Sequence, residues 1–241
     1  MDWNHYLLEE KSPHHPYADL GVMEGMVSGI YDLALVPKDT QILSLTMPLK
    51  KYHLTYSHDE SLYGNKCIEG VCLSEVNVEN VKLLSTLPNL KYLKISNNKQ
   101  ETILDLTPLR HLEVLILSDI TKVTDFSFLF GLDYLKTLYL RDVKQLYDLS
   151  FLIKYDKLTR IGFYQMGGMS GVGKPVKSMA PLSNLKQLQY LHFALTVEHK
   201  NYDISPILSL KNLKYLTMLP RYYRNHRLET LQKELPDTII E

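Results

Sequence analysis

The apolar residues of this chain fall into one recurring spacing, in which a second apolar residue follows the first by three positions and a third follows the second by two. The pattern runs through Ile68, Val71 and Leu73, then Leu90, Leu93 and Ile95, then Leu112, Leu115 and Leu117, then Leu135, Leu138 and Leu140. It continues through Leu158, Ile161 and Phe163, then Leu188, Leu191 and Phe193, and finally Leu213, Leu216 and Met218, while Leu43 and Leu45 form an earlier, partial copy. Between the middle residues Val71 and Leu216 the successive spacings are 22, 22, 23, 23, 30 and 25 residues. The last two apolar positions of each copy alternate with their neighbours, the period of a strand that buries one face. The pattern therefore predicts a series of short strands, each carrying its anchor residue in the same place.

The second half of each unit is patterned as well, as DLTPLRHL (105–112), DFSFLFGL (125–132), DLSFLIKY (148–155), SMAPLSNL (178–185) and DISPILSL (203–210). Thr107 before Pro108 and Ser205 before Pro206 read as N-cap hydroxyls followed by proline at the first helical position, where a missing N–H costs nothing. Each segment is expected to open a short helical turn whose leucines point back to the core. One such coil cannot bury its apolar side alone, so neighbouring coils must stack.

A period in or just beside 20 to 29 residues, with this strand and turn in each unit, resembles the leucine-rich repeat family, and specifically the 22-residue class of the internalins. The resemblance covers about residues 65–220. It implies an α/β fold: a right-handed leucine-rich repeat solenoid with a parallel β-sheet on its concave face and short helices or turns on its convex face. The expected organisation is an N-terminal cap over residues 1–40, a repeat array of about eight coils over 41–220, and a C-terminal cap over 221–241. In the first cap Leu20, Met23 and Val27 have helical spacing; in the last, Leu228, Leu231 and Leu235 fit one helix face and Ile239 and Ile240 a strand stub. One departure is clear. The asparagine that ladders between coils in the family is matched only by Asn98, the aligned positions being Val76, Ile120, Val143, Met166, Thr196 and Arg221.

Charge narrows the function classes. The 27 Lys and Arg residues balance 27 Asp and Glu, which removes the basic excess that phosphate-neutralising proteins depend on; no nucleic-acid partner is expected. No stretch approaches the ~18 apolar residues of a spanning helix, so no membrane partner is expected either. The first residues, MDWNHYLLEEK, lack the basic and apolar regions of a secretory signal. Cys67 and Cys72, five apart in an extended segment, read as thiols and not a disulfide. A cytoplasmic protein is the expectation that follows.

Catalytic chemistry has one candidate. Residues 168–175, GMSGVGKP, fit G-x-x-x-x-G-K from Gly168 to Lys174 and would make the chain a nucleotide-binding enzyme or switch. Pro175, however, stands where a magnesium-binding hydroxyl is required, and Pro181 follows too soon for the long helix that completes a phosphate site. The nine histidines show no zinc spacing, and no nucleophile elbow is present. The expectation is a non-enzymatic chain with no cofactor and no metal.

The remaining candidate is the face opposite the buried leucines. Its columns become aromatic and basic in the second half of the array, where Tyr139, Arg141, Arg160, Tyr164, Tyr190, His192 and Tyr215 fall on neighbouring strands. Tyrosine and arginine are enriched in binding hot spots, since they combine large contact area with directed hydrogen bonds. These seven residues are therefore the expected partner-binding site for another protein, with the chain acting as an adaptor or as an inhibitor or immunity-type protein. Alanine at Tyr164 or Tyr190 should then weaken binding without disturbing the fold, while Lys94 should matter little. Longer loops follow the strands at residues 48–66, 165–176 and 196–203; all must emerge on one edge of the solenoid, and the last two would form a rim beside the aromatic columns.

Overall fold

The computed structural model describes residues 25–46, 52–165 and 174–241. It is one open sheet of ten parallel strands in sequence order: β1 (Met26–Val27), β2 (Ile42–Leu45), β3 (Gly70–Leu73), β4 (Tyr92–Ser96), β5 (Val114–Ser118), β6 (Thr137–Arg141), β7 (Arg160–Tyr164), β8 (Tyr190–Phe193), β9 (Tyr215–Met218) and β10 (Ile239–Ile240). The anchor residues set the register. Leu43, Val71, Leu93, Leu115, Leu138, Ile161, Leu191 and Leu216 pair in one continuous row across the sheet. From Val71 to Leu216 every one is completely buried. An apolar side chain taken fully out of water contributes roughly 1.5–3 kcal/mol, and a slip of one residue would turn the whole row outward. The regular apolar spacing thus dictates both the strands and their alignment.

The convex side is built from tight 3-10 turns at Thr107–Leu109, Ser127–Leu129, Ser150–Lys154 and Ala180–Asn184, with one α-helical turn, α2 (Ser205–Leu208), in the equivalent place. Only α1 (Val78–Ser85), capped by the Asn77 side chain, and α3 (Arg227–Glu234) are longer. The capping differs from the sequence expectation. Thr107 and Ser205 are not the N-caps; they lie inside the turns, and Leu106 and Ile204 stand at the cap positions. The acceptor is the aspartate two residues ahead: Asp105, Asp125, Asp148 and Asp203 each accept the backbone N–H of Thr107, Ser127, Ser150 and Ser205 at 2.8–2.9 Å. A carboxylate reaches an N–H two residues on with less strain than a hydroxyl beside a proline, which is why Asx geometry wins here. The Thr107 and Ser205 hydroxyls donate to Asp105 and Asp203 as well, and these bonds, with the backbone N–H bonds, hold both carboxyls below their usual range; at Asp125 the backbone bond leads and the Ser127 hydroxyl adds to it.

Coil-to-coil cohesion is mostly apolar. Asn98 is completely buried and its Nδ2 donates to the Ser74 carbonyl at 2.9 Å and to Gln100 Oε1 at 2.8 Å. Gln100 continues the rung by bonding both backbone polar groups of Val76. The aligned Val76, Ile120 and Val143 are buried carbon, so at these positions packing replaces the polar rung that Asn98 makes. Coils approach closely enough that a Cβ on Gly131 would sit 2.1 Å from Thr107 Oγ1 and 2.7 Å from Thr107 Cα. No side chain fits there without moving backbone.

The ends depart from the array in different ways. Val27 lies in β1, paired with Leu43, so the helical reading of Leu20, Met23 and Val27 fails at the last of these; Leu20 and Met23 lie outside the described residues. At the other end α3 forms as expected, burying Leu231 and Leu235. Ile240 pairs with Leu216 as the strand stub. Tyr222, completely buried, closes this end by donating to the Leu195 carbonyl at 3.0 Å and packing edge-on against Phe193 and Tyr202.

Candidate functional site

Sheet register brings all seven candidate residues onto the concave face of β6 to β9. In the row nearest the strand starts, Thr137, Arg160, Tyr190 and Tyr215 are successive neighbours; in the next, Tyr139, Gly162, His192 and Thr217; in the last, Arg141 and Tyr164. Adjacent strands lie only ~4.8 Å apart, so the rings meet. Tyr190 and Tyr215 have centroids 5.9 Å apart and Tyr164 and His192 are 5.7 Å apart. Gly162 stands between Tyr139 and His192 in its row.

Exposure divides the seven. Tyr215 is 37% exposed, and Arg160, Tyr164 and Arg141 are half-buried. Tyr139, Tyr190 and His192 are buried, which the column pattern alone does not reveal: period two assigns a face, not its access to solvent. Tyr190→Ala therefore disturbs packing as well as any binding surface. Arg141 is also committed locally, its Nη2 donating to Asp119 Oδ2 at 2.9 Å while the Ser118 hydroxyl bonds the same oxygen. The groups best placed to meet a partner are Arg160, Tyr164 and Tyr215. They offer a guanidinium and two phenol rings, suited to acidic and aromatic groups.

The two loops expected to form a rim do meet. Val176 and Val197 form a parallel bridge, with Val176 N–H donating to the Thr196 carbonyl at 2.8 Å and Glu198 N–H returning to Val176 at 2.9 Å. Tyr147 adds a hydroxyl bond to Glu198 at 3.0 Å, which pushes its phenol pKa up. Residues 166–173 lie outside the described residues, as does the start of the loop at 48–66. The end of the G-x-x-x-x-G-K segment is described: Lys174 Nζ bonds Gln145 Oε1 at 2.7 Å, and the chain then runs extended into the bridge at Val176. The next helical element is the five-residue 3-10 turn Ala180–Asn184, too short to supply the long helix N-terminus that a phosphate loop needs.

Two features were missed by sequence reasoning. The first half of the concave face is a second apolar cluster of Ile42, Cys72, Tyr92, Val114, Ile116 and Tyr139, against which Met26 and Tyr164 pack. The columns contained this signal as a run of carbon-rich residues. The second is a cleft of about 500 Å³ beside the first coils, lined by Leu33, Leu45, Tyr56 and Leu83 with Asp59, Glu75 and Glu79 at its polar side. No periodic signal marks it, because it lies between a long loop and α1. Among the described residues no cluster of three or more metal-ligating side chains occurs, and no helix is long and apolar enough to cross a membrane.

No protein-family model matches the chain and no curated protein matches it. Solved structures do. Internalin C2 from Listeria monocytogenes aligns over 78% of this chain and 85% of its own, at 18% identity and a TM-score of 0.50. A TLR13–ssRNA13 complex aligns over 80% of this chain but 27% of the receptor, at 18% identity and a TM-score of 0.53. At such identities the likeness is one of fold, and it agrees with the ten-stranded parallel sheet. The chain is a leucine-rich repeat solenoid, similar in fold to the internalins.

Proposed function

We propose that this chain is a non-enzymatic scaffold that binds another protein, as an adaptor or as an inhibitor or immunity-type protein of the cytoplasm. The binding surface is the concave face of β6 to β9 with the paired loops at Val176 and Val197 as one rim. The observation that carries this reading is the convergence of Arg160, Tyr164 and Tyr215 on three successive strands, beside that rim. Hot-spot residues on a rigid sheet lose little entropy on binding. The competing nucleotide-binding reading is disfavoured by Lys174, already bonded to Gln145, and by the missing helix after it.

Two measurements test it. Calorimetric titration with ATP and GTP should give no heat of binding; a nucleotide affinity lost in Lys174→Ala would instead support the enzyme reading. Capture from the native host should retain a protein partner on wild type that is lost with Arg160→Ala and Tyr215→Ala. Retention of the partner by both concave variants would remove the proposed surface, and retention of RNA in place of protein would remove the proposed partner class.

A further inference from the structure

The edge of the solenoid that follows β2 and β3 holds a cleft of about 500 Å³ with an apolar floor and an acidic lip. Its size is that of a small-molecule site, which runs from about 300 to 1,000 Å³. Leu33, Leu45 and Leu83, all buried, form the floor, and Leu54, 40% exposed, and the half-buried Tyr56 complete the apolar lining. One wall is the loop that runs from residue 52 to 62, and it is bonded to the first coil. Ser57 N–H donates to the Tyr31 carbonyl and Leu33 N–H to the Ser57 carbonyl, both at 2.9 Å. The Tyr56 hydroxyl donates to the Thr46 carbonyl at 2.8 Å, and His58 Nδ1 lies 2.8 Å from Asp32 Oδ1. The other wall is the start of α1, where the Asn77 side chain accepts Asn80 N–H at 2.8 Å and Asn80 Nδ2 donates to the Glu75 carbonyl at 3.0 Å. Walls bonded to the scaffold need little further ordering when a ligand enters.

We propose that this cleft is a binding site for an organic amine, a protonated nitrogen carried on an apolar body. Charge sets the sign. Asp59, Glu75 and Glu79 are the charged residues that line it, and no lysine, arginine or histidine does. The amides of Asn77 and Asn80 are already spent on backbone groups. Three carboxylates around one low-dielectric cleft focus a negative potential, which attracts a cation and repels an anion. The floor sets the body, because a bare ion would leave the leucines wet while an apolar stem takes that area out of water. Among the described residues these acids also form no cluster able to hold a metal ion, so the cation that fits is one extended over both surfaces. Its head meets the lip, where Glu75 and Glu79 are exposed and Asp59 is half-buried, with Oδ2 accepting from the Tyr63 hydroxyl at 2.9 Å. Its stem meets the leucines. A free amine and the lysine side chain of another protein share this chemistry. The site goes beyond the protein-binding reading, which concerns β6 to β9 and neither requires nor supplies it.

Calorimetric titration of the full chain at neutral pH with hexylammonium chloride tests this, against sodium hexanoate and hexanol, which keep the stem and change the head. Hexylammonium should bind saturably and at least about tenfold more tightly than either. Glu75→Gln with Glu79→Gln removes charge at two exposed positions and should weaken hexylammonium at least about fivefold, with far-UV circular dichroism unchanged. Leu54→Ser, which removes apolar lining, should weaken hexylammonium and hexanol alike. Asp237→Asn, at the opposite end of the solenoid, should change nothing. Absence of saturable binding, hexanol or hexanoate binding as tightly as hexylammonium, or unchanged affinity in the Glu75 and Glu79 variant overturns the proposal. The peptide acetyl-Leu-Lys-Leu-amide separates the two sources: binding tighter than hexylammonium assigns the site to a protein's lysine, and weaker binding assigns it to a free amine. Arg160→Ala and Tyr215→Ala, the variants that test the concave surface, should leave hexylammonium binding unchanged, so either reading can fail without the other.

Discussion

The two halves of the concave sheet share one backbone and differ in what they present. Over β3 to β5 the outward rows carry Cys72, Tyr92, Val114 and Ile116, an apolar cluster with almost no exposure, with Lys94 set between Cys72 and Ile116. Over β7 to β9 they include Arg160 and Tyr164, half-buried, Tyr190 and His192, buried, and Tyr215, exposed on the last strand. The inward rows do not change in kind, being large apolar residues throughout, leucine, isoleucine and phenylalanine with Val71 and Met218 at the ends. The lesson is a division of labour along the repeat. Anchor positions fix the register and tolerate little, whereas the positions between them vary from coil to coil, so surface chemistry can change along the solenoid without a change of fold.

The sharpest contrast between inward and outward positions is Leu115 against Ile116. Leu115→Ala leaves a cavity in the closed core and should cost about 2–5 kcal/mol in urea titrations. A loss within about 0.5 kcal/mol of wild type, the range of surface changes, would show the register to be misassigned. Coil-to-coil contact comes next. Gly131→Ala must push Thr107 back and is expected to cost about 1–3 kcal/mol, as is Asn98→Ala, which leaves the buried Ser74 carbonyl without its donor. Neutrality of both would mean that adjacent coils are not in the contact described.

The convex turns give a smaller, pH-dependent effect. Asp105, Asp125 and Asp203 have folded pKa values depressed by their bonds to Thr107, Ser127 and Ser205. Depressed carboxyl pKa values contribute stability that is present above the unfolded value near 3.9 and is lost as pH falls through the folded values. Wild type should therefore lose more stability on acidification below about pH 4 than a variant with all three aspartates replaced by asparagine. Parallel acid profiles would contradict the capping role. Smallest of all, Lys174→Ala on the exposed rim should change stability by no more than about 0.5 kcal/mol.

What could be read from the sequence follows from this same contrast. The anchors recur with a fixed chemistry, so the strands, their pairing from Leu43 to Leu216 and the final stub at Ile240 were all legible. β1 was not, because Met26 and Val27 are two residues without the repeat's spacing and are a strand only by pairing with Ile42 and Leu43. The turn caps were misassigned because Ser or Thr before proline is a strong local signal, while the competing aspartate lies two residues upstream. A further column passed unnoticed: Asn97, Asp119 and Asp142 follow β4, β5 and β6 with positive φ, a conformation that Asn and Asp tolerate best among residues with a side chain. The candidate site was legible as a set of neighbours. Its burial was not, since exposure of an outward position depends on what else the chain lays against it.

The central claim is that function resides on the concave face of β6 to β9. Hydrogen–deuterium exchange of the isolated protein and of its captured complex tests this most directly, with side-chain footprinting to separate the two faces. The account predicts added protection on Arg160, Tyr164 and Tyr215 and in the segment around Val197, with the convex turns at Thr107–Leu109, Ser127–Leu129 and Ser150–Lys154 unchanged. Protection confined to those convex turns, with the concave residues unchanged, would contradict it.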